Sequence, residues 1–294
     1  MSVPRPPLPT RIRQPGPVGP PVHQVPTRLI EVEFALPAAV PLDLSLAKAL
    51  AARNIVSGVF RLRDAPMAAL DYVIPDLPQD ASHVAWYSTP QNPPMPGAIV
   101  DAAITCGPGD AGMTYHCHGK FSDARGAVAM GHLLVETCRP AHPVGVTGFA
   151  FRDAAFQRRA DAETGFTLFS PVARGPAVKE DAPAKDDGIL LRIAPNIEIS
   201  QTLIDCCRAA GWQRASVHGL GSLIGAHFAD ENVLDSFATE FYFTRGLIDL
   251  TGPTPSAALD VALVGLDGSW MEGRLDQGQN PVLITTEILL CRRP

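Results

Sequence analysis

The sequence predicts an α+β fold: two tandem copies of one domain, each a mainly antiparallel sheet packed with short helices. Two observations carry this. The order strand, helix, glycine-rich segment, hairpin, final strand occurs twice in 294 residues. The chain is also long enough for about two ordinary domains, since single cores stop growing near ~250 residues.

The predicted divisions are a proline-rich arm without packed structure over 1–27, domain one over 28–170, a linker over 171–187 and domain two over 188–294. Residues 1–27 hold nine of the 29 prolines, with arginines at 5, 11 and 13 and no acidic residue. The linker, PVARGPAVKEDAPAKDD, mixes proline, alanine and charges without a period.

Copy one opens where Ile30, Val32, Phe34 and Leu36 alternate as in a half-buried strand; copy two opens at Ile189, Leu191 and Ile193. Each strand runs into a proline, Pro37 or Pro195, and then a helix with Asp43 or Ser200 as the expected N-cap. Leu46, Ala47 and Leu50 form one apolar stripe, and Leu203, Ile204 and Cys207 the other. Asn54 and Gly211 are expected to stop the helices in the left-handed conformation. A strand entering a small-residue turn follows in each, at Ile55–Val59 and Ser216–Ser222. Hairpins then span 115–134 and 259–276, with Gly126 matching Gly268 and Gly131 matching Gly273, and the last strands span 144–151 and 282–290.

The chemistry concentrates in the first hairpin. His116 and His118 sit at i and i+2, so on a strand they project from one face roughly 7 Å apart, while Cys117 points the other way. A turn centred near Ala124 sets His132 opposite His116 on that same face. Three neutral nitrogens with a fourth position open is the pattern of a catalytic zinc site, whereas structural sites close with four protein ligands. One divalent ion per chain is expected, with zinc the expected metal. Glu136 and Glu163 are the acid–base candidates and possible fourth ligands. An offset of 142 places Ala258, Asp260 and Arg274 where copy one has its histidines, so copy two should hold no ion.

The segments Gly219-Leu-Gly-Ser222, HCHGKFSDARG and Gly131-His-Leu133 resemble the plant and prokaryote conserved (PPC) domain, over about 28–170 and 188–292. Met130 replaces a glycine of that family's hairpin pattern, and copy two departs from it at every histidine. The resemblance implies a fold similar to acetolactate decarboxylase, a zinc enzyme. By that analogy the chain is a metal-dependent lyase or hydrolase on a small carbonyl or carboxylate substrate. The alternatives it implies are a DNA-binding or regulatory protein, or a metal-stabilised assembly without chemistry. It also implies a homo-oligomer: a trimer or pseudo-hexamer, or a dimer.

Composition weighs against several classes. A net charge of -6 lacks the basic field that gives most nucleic-acid affinity, and the hook-like stretch Arg11–Pro15 carries Ile12 where a minor-groove hook needs glycine. Six cysteines without paired spacing fit a reducing compartment. With no apolar N-terminal segment and no run of 18 or more apolar residues, a cytoplasmic chain without a membrane partner is expected.

Overall fold

Strand-period alternation dominates the sequence, and the computed structural model, which describes residues 8–175 and 186–294, folds it into mostly antiparallel sheets with two helices among those residues. In chain order come β1 (Val22–Thr27), β2 (Leu29–Leu36), α1 (Leu42–Ala51), β3 (Gly58–Ala69), β4 (Tyr72–Val73), β5 (Pro75–Asp76) and β6 (Trp86–Tyr87). Next are β7 (Gly97–Gly109), β8 (Gly112–Ser122), β9 (Val128–Leu133), β10 (Arg139–Pro140), β11 (Val144–Phe151) and the hairpin β12 (Ala154–Ala160) and β13 (Thr167–Ala173). The second half contributes β14 (Gly188–Ile193), α2 (Ile199–Ala209), β15 (Arg214–Leu223), β16 (Ala226–His227) and β17 (Val233–Leu234). It ends with β18 (Thr239–Asp249), β19 (Ser256–Gly265), β20 (Trp270–Arg274) and β21 (Val282–Arg293).

One sheet has the order β2-β11-β3-β7-β8-β9-β4, and the other β1-β14-β21-β15-β18-β19-β20. Leaving aside β1 and β4, both place the sheet's own last strand in sequence beside its first, followed by the remaining strands in sequence order. Each sheet carries one helix on its core face. Leu42, Leu46 and Leu50 of α1 are fully buried in the first core, and Ile199, Leu203, Ile204 and Cys207 of α2 in the second. Each such side chain contributes about 2 kcal/mol of burial. The helices stop as expected, at Asn54 (φ 55°) and Gly211 (φ 67°).

Several local expectations are corrected. The N-caps are Pro41, without a side-chain bond, and Glu198, whose carboxylate accepts from Gln201 N at 2.7 Å; Asp43 and Ser200 lie inside their helices. The segment Ser216–Ser222 is no turn but the middle of β15, where pairing with β18 is irregular between Ser216 and Leu220. Gly219 adopts φ 131° there, and a Cβ would lie 2.0 Å from the Glu287 carbonyl oxygen, so the position requires glycine.

The arm also differs from expectation. Residues 22–27 form β1, paired with β14 across the boundary between the halves. Proline is tolerated because β1 is an edge strand, where a missing N–H breaks no ladder. Upstream, Ile12 N donates to Asn196 Oδ1 at 2.7 Å, and Gln14 Nε2 donates to the Leu283 carbonyl at 2.9 Å. The start of the predicted linker, residues 171–173, ends β13, and residues 176–185 lie outside the described residues.

Candidate metal centre

The β8–β9 hairpin turns through Asp123, whose Oδ1 accepts the Arg125 and Ala127 amides at 2.8 and 2.9 Å, with Gly126 at φ 79°. This five-residue turn sets His132 opposite His118, not His116, a register two residues from the expected one. An even shift preserves the face, so the three imidazoles still converge. Their centroids lie 4.5 Å (His116–His118), 5.0 Å (His116–His132) and 5.3 Å (His118–His132) apart. Cys117 points into the core, 1% exposed.

The second half completes the group. Glu240, on β18, joins His116, His118 and His132 with one ligand atom from each residue lying within 4.8 Å of the others. Its Oε1 lies 3.4 Å from His118 Nε2 and 3.7 Å from His132 Nδ1. His116 Nε2 and His118 Nε2 are 3.0 Å apart. Nitrogens about 2.0 to 2.1 Å from one tetrahedral zinc stand about 3.3 Å apart, so this spacing suits a shared ion.

The outer partners orient these atoms. His116 Nδ1 lies 2.6 Å from Glu287 Oε2 on β21, and His118 Nδ1 lies 2.9 Å from the Phe241 carbonyl. A carbonyl only accepts, so His118 carries its proton on Nδ1 and turns the Nε2 lone pair inward; Glu287, once ionised, would accept from His116 Nδ1 in the same way. His132 Nδ1 and Glu240 Oε2 are buried without a hydrogen-bond partner, as expected of groups awaiting a cation. The residues fit a divalent metal.

Burial, together with the neighbouring His118 and His132, holds the His116 imidazole well below its usual range, hence neutral at pH 7. Burial opposes charge on both members of the Glu240–His118 pair, but their mutual attraction outweighs it: Glu240 is held down and His118 up. Burial pushes Glu287 up to about 8 against the opposing pull of His118 and Arg192. A proton therefore sits between Glu287 and His116, and a cation on the far side of the imidazole would favour keeping it on Nδ1.

His116, His118 and Glu240 form one wall of a cavity of about 60 Å³ otherwise lined mainly by apolar residues, Trp86, Phe166, Leu168 and Leu283 among them. Tyr87 stands at its edge, its ring 5.2 Å from that of His132. Burial and the nearby Glu240 and Glu287 carboxylates push the Tyr87 phenol well up, so it stays protonated.

Of the acid–base candidates, Glu136 is exposed just beyond β9, and the Glu163 carboxylate is buried, accepting from Gly19 N at 3.0 Å; neither belongs to the group of four. Asp260 faces Arg274 across the β19–β20 ladder, as His118 faces His132 across β8–β9. Arg274 Nε donates to Asp260 Oδ1 at 2.8 Å, so this carboxylate is neutralised within its own ladder. The sequence reading missed Glu240, Glu287 and Tyr87. The two carboxylates had a signal: each is the single charged residue of an otherwise uncharged, buried stretch, Thr239–Phe243 and Val282–Cys291.

No protein-family model and no curated protein matches the chain. Among solved structures it is similar to a plant- and prokaryote-conserved (PPC) protein of Pyrococcus horikoshii, at 12% identity over 49% of this chain and 94% of that one, TM-score 0.38. It is also similar to a metal-containing protein of Archaeoglobus fulgidus, at 16% identity over 49% and 94%, TM-score 0.36. A third likeness is to a protein of Ralstonia eutropha JMP134 provisionally named as DNA-binding, at 14% identity over 47% and 89%, TM-score 0.39. These likenesses concern the fold, over about half of this chain.

Proposed function

We propose that the chain is a tandem duplication whose two halves together form one metal-dependent active site of the lyase or hydrolase type, for a small carbonyl or carboxylate substrate. The shared strand order and the equivalence of His118↔His132 with Asp260↔Arg274 support the duplication. The observation that carries the enzymatic reading is that three of the four ligand residues form a wall of the apolar cavity. A buried structural site would have no need of such access.

His116, His118, His132 and Glu240 would hold the ion, zinc being the best fit to three imidazoles and one carboxylate. Bound there, it would supply Lewis-acid polarisation of an oxygen or lower the pKa of water. The chain does the rest. Glu287 and the Phe241 carbonyl hold two imidazoles in the ligating tautomer. Phe166, Leu168 and Leu283 give the cavity an apolar lining, which strengthens charge interactions beside it. The protonated Tyr87 phenol offers a hydrogen bond to a substrate oxygen.

Nucleic acid stays outside this reading, because Ile12 and Gln14 of the hook-like stretch are bound to the second half and the chain carries a net charge of -6.

Cobalt substitution tests the proposal. The visible spectrum of the Co(II) protein is expected to shift on adding millimolar acetate or small 2-oxo acids, and turnover of such substrates should disappear on metal removal and return on reloading. A spectrum indifferent to every small carboxylate and carbonyl compound, with no metal-dependent turnover, would mean a closed structural ion and defeat the enzymatic reading.

A further inference from the structure

A second concavity, a groove of about 660 Å³ between the two sheets, shares no lining residue with the cavity at the histidines. Its walls come from β2, β3, β7 and β11 of the first half and from β15 and β18 of the second, with Arg293 at the end of β21. This volume lies in the range of sites for small organic ligands, about 300 to 1,000 Å³.

The charge of the groove runs against that of the chain. The chain as a whole carries -6, yet the groove lining holds Arg61, Arg63, Arg245 and Arg293 against Glu31 and Glu33. Arg61 and Arg63 are committed to Asp101. Arg245 and Arg293 are exposed and have no ion-pair partner among the described residues. Two guanidinium groups in one concavity, neither drawn into an ion pair, are the usual means of holding a phosphate or carboxylate.

The groove also presents two rings from opposite halves. Phe149 and His218 lie 5.2 Å apart between centroids, tilted by 57°. Arg293 Nε donates to Ser216 Oγ at 3.1 Å, and that oxygen lies 3.1 Å from His218 Nε2, so the imidazole is fixed in place. Burial and the adjacent Arg293 and Arg61 hold His218 down at about 4, which makes it a flat uncharged ring at neutral pH. Its neighbours are cations and a hydroxyl, a setting that repels metal ions and suits an anion.

We propose that this groove binds a small planar organic anion, an aromatic or heteroaromatic ring bearing a phosphate or carboxylate, with the ring against Phe149 and His218 and the anion on Arg245 and Arg293. The site stands independently of the metal centre.

Titration calorimetry on the full chain, with adenosine monophosphate, benzoate, inorganic phosphate and adenosine as probes, tests it. One equivalent of adenosine monophosphate or benzoate is expected to bind, with adenosine and inorganic phosphate each about tenfold weaker or more, since each lacks one half of the recognition. Arg245→Gln and Arg293→Gln should each weaken binding about tenfold without altering melting temperature or metal content, as both side chains are exposed. Phe149→Leu should weaken the ring-bearing anions while sparing inorganic phosphate. No binding by any anion at millimolar concentration, wild-type affinity in both arginine variants, or binding that disappears with metal removal would each overturn the proposal.

Discussion

Glu240→Gln isolates the contribution of the second half to the metal centre. The change keeps the shape of a side chain that is 8% exposed and removes only its charge, 3.4 Å from His118 Nε2 and 3.7 Å from His132 Nδ1. Four-ligand zinc sites bind with about 12 kcal/mol near neutral pH, or about 3 kcal/mol per ligand if shared evenly. Losing that share weakens zinc binding about 150-fold. Competition against a chromophoric chelator at fixed pH measures the ratio, and circular dichroism on both apo proteins confirms that the fold is kept. An affinity within about threefold of wild type would refute the assignment of Glu240 as a ligand and return the site to three histidines and an open position.

Glu287→Gln should lower zinc affinity by about 10 to 100-fold while leaving one ion bound at saturation, because the residue orients His116 without touching the metal; chelator competition reads this too. His218, held down at about 4, is neutral in the folded state and charged in the unfolded state between that value and about 6.5. Its share of stability is therefore complete above about pH 6.5 and lost as pH falls toward 4, at most about 3 kcal/mol, and a denaturant series on His218→Gln should show a flatter pH dependence there than wild type. Deleting residues 1–27 strips β1 from β14 and removes the Ile12 and Gln14 bonds to the second half. The truncated protein should melt several degrees lower, a shift of about 4 °C corresponding to roughly 1 to 2 kcal/mol in a chain of this size.

What the sequence made legible was local. HxH on a strand and a third histidine beyond a turn depend on period-two alternation and short range, and the structure brings these residues together. The register was not legible in this way, because turn length around Asp123 depends on a side chain accepting two backbone amides, which periodicity does not encode. The fourth ligand was beyond the same reasoning. Glu240 and Glu287 reach the histidines only through the packing of one half on the other, across 122 and 171 residues from His118 and His116 respectively. Composition likewise hid β1: proline content argues against a packed element in general but not against an edge strand.

Metal analysis by inductively coupled plasma mass spectrometry on wild type, His116→Ala, His118→Ala, His132→Ala and Asp260→Ala tests the central claim most directly. The account predicts one ion per wild-type chain, none retained after desalting in each histidine variant, and one in Asp260→Ala, whose carboxylate is paired with Arg274 instead. Two ions per wild-type chain, or full occupancy in His116→Ala, would contradict it.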